Sequence, residues 1–395
     1  MQYDVVTVQT MLTRLRHQTP AMLDLLGRLV NQDSGSHDAA GVDRVGDILA
    51  SEWSGLGFEE ERRPVPGRGA LRLMRRRFGG TGRLLILGHL DTVWPAGTAA
   101  EWPFSSDGTH AYGPGVGDMK GGLVMALFAV RALIEDGFDG LGEIACLFVP
   151  DEELGSTGSR AEIEREAALS DWTLVLEPAR PGGGVIVGRG AVGAMVIEAR
   201  GRTAHAAVNP EEGHSALRAL AGLVGPLEDL SAPDQGRIVT VGMLNAGTAR
   251  QVVPDHAVMH VDLRAADPLD ASLLLAAIGD IVGRAGAVDL AVTLTKAGGM
   301  TRPVFPRDRG DTLYRLYAEE AARLGVVAPP LVTRGGSDGS FGAALGCPTL
   351  DGVGPVCFDT CSRRERIPLA SLAERGALFA ALVSRLPDEG PRWRA

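Results

Sequence analysis

The 395-residue chain is 45% hydrophobic and 22% charged, near the globular average, so it can bury a large core and is not disordered. Its 49 Asp and Glu outnumber 39 Lys and Arg, and the net charge of -10 argues against nucleic acid as the main partner, though not against a local basic pocket for a small anion. The longest apolar stretch, Gly121–Val130, stops at Arg131, well short of the roughly 20 residues of a membrane span. Met1-Gln2-Tyr3-Asp4 carries an acid where a signal peptide is basic, and four Cys make no disulfide framework, so a cytoplasmic protein is expected.

Thr19 and Pro20 predict a helix start, Thr19 capping and Pro20 in the first turn, with Met22, Leu25, Leu26, Leu29 and Val30 on its apolar face. A second helix is expected from about Gly41 to Leu56, ending at Gly57. The Arg75-Arg76-Arg77 run reads as a solvated strand end. Leu84–Leu87, Ile144–Val149 and Trp172–Leu176 are short apolar runs without alternation, which suits strands covered on both faces in a parallel sheet. Gly121–Ile134 supplies a crossover helix. Pro181-Gly182-Gly183-Gly184 then reads as a hinge into a different pattern. Strands are expected over Val192–Ala199, Arg237–Leu244 and Ala257–Arg264, the last alternating Val258, His260 and Asp262 against Met259, Val261 and Leu263. With helices at Ser215–Leu227 and Leu269–Ala285 they form a small α+β layer, and Ala297-Gly298-Gly299 reads as the return hinge. Helices over Asp311–Leu324 and Leu369–Leu386 close the chain.

Four segments rich in acids or histidine sit just past a strand or at a helix start. In Gly88-His89-Leu90-Asp91, residues two apart share a face, so Asp91 can receive one imidazole N–H while the other nitrogen binds a metal. Gly113–Gly122 surrounds Asp118 with glycines and aims it at a helix N-terminus. Asp151-Glu152-Glu153 follows a buried strand, and adjacent acids there repel unless a cation or proton relieves them. Glu177-Pro178 ends the next strand in the same way. Open α/β sheets place their ligand sites after parallel strands. Imidazole with hard oxygens suits zinc, with manganese or cobalt as alternatives. Of two adjacent acids, one can bind metal while the other acts as general base toward water.

Gly88–Pro95 (GHLDTVWP), Tyr112–Gly122 (YGPGVGDMKGG), Pro150–Ser156 (PDEELGS) and Val175–Ala179 (VLEPA) closely resemble the metal-binding segments of the zinc aminoacylase/carboxypeptidase superfamily. The chain is most similar to its bacterial glutamate carboxypeptidase branch, beside the acetylornithine and succinyl-diaminopimelate deacylases. The resemblance implies an α/β catalytic domain, 1–181 and 299–395, with a mixed, mostly parallel sheet covered by helices. It also implies an inserted α+β lid domain, 182–298, that makes a homodimer. Two zinc ions per chain are implied, His89 and Glu177 holding one, Glu153 the other and Asp118 bridging, with Asp91 orienting His89 and Glu152 as general base and acid. In the lid, His205 of Gly201–Ala206 matches the histidine that reaches the partner subunit's active site and polarises the scissile carbonyl. Gln251 stands where relatives have a substrate-binding Asn, Arg264 keeps their Arg, and Arg302 matches the Arg that grips the substrate carboxylate. Gly335–Gly339, with Gly336 as a substrate-binding candidate, resembles the glycine-rich loop at the catalytic rim.

The C-terminal segment departs from this pattern. Relatives supply a second-metal His after a Gly-Pro segment, but no histidine lies beyond His260, and the expected position is Cys361 in Gly354–Arg366. A thiolate ligand at Cys361 is expected, against a Cys357–Cys361 disulfide or Asp359 as substitute. These residues imply a metalloamidase acting on an N-acyl amino acid or dipeptide-like amide with a free carboxylate. The contrasting expectation is a non-hydrolytic relative with an altered metal site that binds a carboxylate ligand or serves as a partner subunit.

Overall fold

The structure, a computed structural model, describes residues 7–390, and these fall into two compact units. The first carries 7–188, 305–332 and 337–390; the second carries 189–304 and 333–336.

A six-stranded mixed sheet organises the first unit, in the order Glu59–Pro64, Ala70–Arg77, Glu143–Val149, Arg83–His89, Trp172–Val175, Thr349–Leu350. The last four run parallel to one another, and the first two are antiparallel additions. The apolar runs are buried on both faces for a reason visible residue by residue. Leu84 and Ile86 point into the larger core with Ile144, Cys146 and Phe148, while Leu85 and Leu87 join Ala145, Leu147 and Val149 on the other side. Helices Val8–Val30, Ala39–Ser54, Gly122–Glu135 and Leu369–Glu389 build the larger core, and Arg160–Leu169 with Gly339–Ala344 supplies the other. Among the described residues, no helix is long and apolar enough to cross a membrane.

The second unit is an antiparallel sheet ordered Ile238–Ala246, His256–Ala265, Ala191–Arg200, Thr293–Arg302, with helices Ala216–Glu228 and Pro268–Gly286 packed on it. The alternation expected around Ala257–Arg264 holds: Met259, Val261 and Leu263 are buried against Leu220, Leu223, Leu274 and Ile278.

Three local expectations need correcting. The first helix runs Val8–Val30, capped by Thr7, with Pro20 inside it. Val8, Met11 and Leu15 extend the buried stripe ahead of the proline, and that burial outweighs the one N–H a proline removes. Ala297-Gly298-Gly299 is not a hinge but the middle of strand Thr293–Arg302. A Cβ at Gly298 would meet the Ala194 carbonyl at 2.2 Å, so glycine is there to let the neighbouring strand approach. Of the arginine run, only Arg77 is exposed; Arg75 donates to the buried Glu166 carboxylate at 2.9 Å.

Candidate metal centre

Strands Glu143–Val149, Arg83–His89 and Trp172–Val175 are parallel neighbours, so their C-terminal ends lie side by side. His89 ends the middle strand, Glu152 and Glu153 occupy a short turn after one neighbour, and Glu177 follows the other. Asp118 comes from Val116–Gly121, the irregular turn that leads into helix Gly122–Glu135. This turn can close on the sheet because Gly122 has no Cβ: one placed there would meet the Leu176 carbonyl at 2.2 Å.

Nε2 of the buried His89 lies 3.2 Å from Asp118 Oδ1 and 3.8 Å from Glu177 Oε1. Donor atoms of His89, Asp118 and Glu153 fall within 4.8 Å of one another, as do those of His89, Glu152 and Glu177. The far imidazole nitrogen, Nδ1, is 2.9 Å from the Asp91 backbone carbonyl and 3.4 Å from its Oδ1. The Asp91 carboxylate itself does something the sequence did not suggest. Oδ1 accepts the Glu152 N–H at 3.1 Å, and Oδ2 accepts the Glu153 N–H at 3.2 Å and the Ser36 hydroxyl at 2.7 Å. One buried acid thus anchors the turn that presents both glutamates.

Burial pushes the Glu153 carboxyl up to about 9, helped by Asp118, Glu152 and Asp91 nearby. Burial also drives Glu177 well above the carboxylate range, with Asp118 and Glu152 adding to it. Burial would lower His89, but hydrogen bonds to Asp118 and Asp91 override it and hold the imidazole above its usual value. Asp118 behaves oppositely: burial would raise it, and the hydrogen bond from His89 keeps it below the ordinary range. Glu153 Oε1 is buried without a hydrogen-bond partner. An orphaned carboxylate oxygen and crowded acids around one imidazole are what a divalent cation relieves, so these residues fit a zinc site.

Cys361 brings its Sγ to 3.5 Å from Asp118 Oδ2, on the opposite carboxylate oxygen from His89. The residue as a whole is exposed, but partial desolvation of its sulfur, together with Asp118, Glu153 and Glu365, pushes the thiol upward. The two alternative groups are engaged elsewhere. Cys357 is a buried free thiol that accepts from the Thr360 hydroxyl at 3.5 Å, and the Asp359 carboxylate is taken by Arg366.

His205, Gln251, Arg264, Arg302 and Gly336 belong to the second unit. His205 and Gln251 are exposed on adjacent segments, joined where Ala206 N–H donates to the Gln251 carbonyl at 3.0 Å. His205 Nδ1 accepts the Ala207 N–H at 3.1 Å, which leaves the neutral ring's proton on Nε2. Arg264 is engaged by Asp262, Nε to Oδ1 at 2.8 Å and Nη2 to Oδ2 at 2.9 Å, a bidentate pairing within one strand. Arg302 is buried, and a Cβ at Gly336 would stand 3.0 Å from its Cδ, so glycine makes room for this arginine.

Two buried groups beside Asp118 escaped sequence reasoning. Lys120 donates to the Gln32 carbonyl at 2.9 Å, and burial lowers it to about 7. Glu365 accepts three backbone N–H groups. The Lys120 partner is 88 residues distant and two of the three Glu365 partners are about 250 distant, which leaves no local signal.

The model of peptidase family M20/M25/M40 matches residues 85–385. Carboxypeptidase G2 of Pseudomonas sp. (strain RS-16) is 30% identical over 382 residues, covering 93% of this chain and 90% of its own. A succinyl-diaminopimelate desuccinylase of Rhodospirillum centenum is 31% identical over 373 residues, covering 88% and 92%. In fold, the chain is similar to an M20 family metallo-carboxypeptidase from Sulfolobus solfataricus, with TM-score 0.77 at 16% identity over 93% of this chain and 99% of the other. A tripeptidase from Staphylococcus aureus gives TM-score 0.78 at 22% identity, covering 94% and 99%.

Proposed function

Because the chain belongs to peptidase family M20/M25/M40 and is a zinc-dependent hydrolase, we propose that it cleaves the amide bond of an N-acyl amino acid or dipeptide-like compound bearing a free carboxylate. The observation that carries this reading is the meeting of His89, Asp118, Glu152, Glu153 and Glu177 at adjacent parallel strand ends. The residues suited to hold two zinc ions are His89, Glu177, Glu153 and Cys361, with Asp118 between them. When bound, the metal pair supplies Lewis acidity toward the amide carbonyl and charge that keeps these acids ionised.

The chain's own groups divide the remaining work. Glu152 takes a proton from the attacking water and returns it to the leaving amine. Asp91 holds the Glu152–Glu153 turn in place through two N–H groups and backs His89 through its carbonyl. His205, protonated at Nε2, is a donor for the developing oxyanion, delivered in a homodimer built through the second unit. Incubating zinc-loaded protein with a panel of N-acyl amino acids tests the reading; no turnover of any member, with zinc bound, would sink it.

Arg302 is assigned to the substrate carboxylate, since an anionic substrate of a chain with net charge -10 needs a local cation. A lost charge-assisted contact costs about 1.5–3 kcal/mol, so Arg302→Ala is expected to lower kcat/KM by roughly ten- to a hundredfold. The same substitution is expected to matter little for an amide analogue lacking the carboxylate. Equal losses on both substrates, in Arg302→Lys as well, would reject the role.

Within the first unit, a cleft of about 440 Å³ lies beside Glu153, walled by Val93, Trp94, Pro95 and Leu154, and is assigned to the acyl group. Among the described residues its lining holds no lysine or arginine, while Asp38 faces it. An acyl group that carries a second carboxylate would find no counter-ion there. Apolar N-acyl amino acids are therefore expected to exceed N-succinyl ones in kcat/KM by about tenfold or more, the scale of a mismatched pocket. Trp94→Ala is expected to shrink that ratio, and a preference for the succinyl compound would contradict the assignment.

A further inference from the structure

Glu365 is a fully buried carboxylate. Its Oε1 accepts the N–H groups of Gly117 at 2.8 Å and Asp118 at 3.1 Å, and its Oε2 accepts that of Cys361 at 3.1 Å. Those three donors come from two loops, one carrying Asp118 and the other carrying Cys361. The loops press together without slack: a Cβ at Gly117 would meet Cys357 Sγ at 2.3 Å. Cys361 also adopts a left-handed backbone, φ 59°, which a non-glycine residue holds only when its surroundings impose it. The Glu365 contact to its N–H is one such constraint. At the other end of the arrangement, Cys361 Sγ lies 3.5 Å from Asp118 Oδ2.

We infer that Glu365 is a positioning residue for the metal centre: one carboxylate binds the backbones of Asp118 and Cys361 and thereby sets their side chains against each other. The inference rests on the reading of Asp118 and Cys361 as zinc-holding residues. A carboxylate suits the task better than an amide, because all three partners are donors and only acceptor oxygens can satisfy them. Glutamine keeps the shape but turns an NH2 toward at least one N–H, so it breaks one side of the strap without leaving a void. Alanine removes both sides. Groups that orient metal ligands typically contribute about ten- to a hundredfold in metal affinity.

The test measures zinc affinity by competition with a chromophoric chelator, together with the melting temperature of the metal-free protein. Wild type, Glu365→Gln, Glu365→Asp, Glu365→Ala and Cys361→Ser are compared. Glu365→Gln is expected to weaken the affinity of one zinc site by about ten- to a hundredfold. Glu365→Asp, which retains both acceptor oxygens, is expected to recover part of that loss. In cobalt-substituted protein the thiolate-to-metal absorption is expected to weaken in Glu365→Gln and vanish in Cys361→Ser. Wild-type zinc affinity in Glu365→Gln overturns the proposal, and so does a lower melting temperature with affinity unchanged. If Cys361→Ser keeps wild-type zinc affinity while Glu365→Gln loses it, Glu365 still positions Asp118, and the thiolate reading alone fails. Should Glu365→Ala not fold, the glutamine and aspartate variants decide.

Discussion

Glu152→Gln is expected to keep its zinc and lose turnover by about 10²–10⁴-fold, the contribution of a general base, whereas Glu153→Gln is expected to lose metal. The two residues are neighbours on one turn, and the same carboxylate, Asp91, takes both of their N–H groups. What separates them is where their side chains go. Glu153 falls with His89 and Asp118, and its Oε1 is buried without a hydrogen-bond partner, the condition of an oxygen that needs a cation. Glu152 falls with His89 and Glu177, close enough that proximity alone would let it ligate. Metal analysis beside single-turnover kinetics distinguishes the roles. Loss of zinc from Glu152→Gln would make it a ligand, and an unchanged kcat would remove it from the chemistry altogether. Glu152→Asp keeps the acid but shortens its reach, so partial activity with full metal is expected there.

Apart from Asp118, which its glycine-rich loop marked, the site's acids and histidine were legible because each follows an apolar run, and runs buried on both faces announce parallel strands even without neighbours in view. Leu84–Leu87 and Ile144–Val149 carried that signal, and His89 and Glu152–Glu153 stand where such strands end. Local punctuation misled where tertiary packing overrode it. Pro20 sits inside a helix because Val8, Met11 and Leu15 bury ahead of it, and Gly298 serves a close strand contact rather than a hinge. The supports of the centre were illegible for another reason. Asp91 works through the backbone of residues some 60 positions away, and Glu365 joins Cys361, four residues before it, to Gly117 and Asp118 nearly 250 away; such long-range bonds have no period and no fixed spacing. A sequence shows which groups can do chemistry more readily than which groups hold them still.

The second large effect is expected at Cys361. Cys361→Ser is expected to lower bound zinc by about one ion per chain, and Cys361→His to restore it, since imidazole and thiolate are both ordinary zinc donors. The chain has no histidine beyond His260, so the other zinc-capable side chains in this segment are Asp359, Cys357 and Glu365, the last engaged by three backbone N–H groups. Arg366 occupies Asp359, and Cys357 is buried against Thr360, so neither competes. Cys361 alone of these reaches the Asp118 carboxylate, from the side opposite His89. A thiolate in place of a neutral imidazole adds one negative charge to a cluster already rich in carboxylates. Added ligand charge tempers the metal's Lewis acidity, and soft sulfur favours zinc over manganese. Manganese is therefore expected to support less activity than zinc in the wild type, and the gap is expected to narrow in Cys361→His. With Cys361 exposed, the wild type is also expected to be sensitive to thiol oxidants, a sensitivity the histidine variant is expected to lose. These outcomes stand together. Retention of two zinc ions and full activity by Cys361→Ser would remove the thiolate from the site and leave its second metal to Asp118 and Glu153 alone.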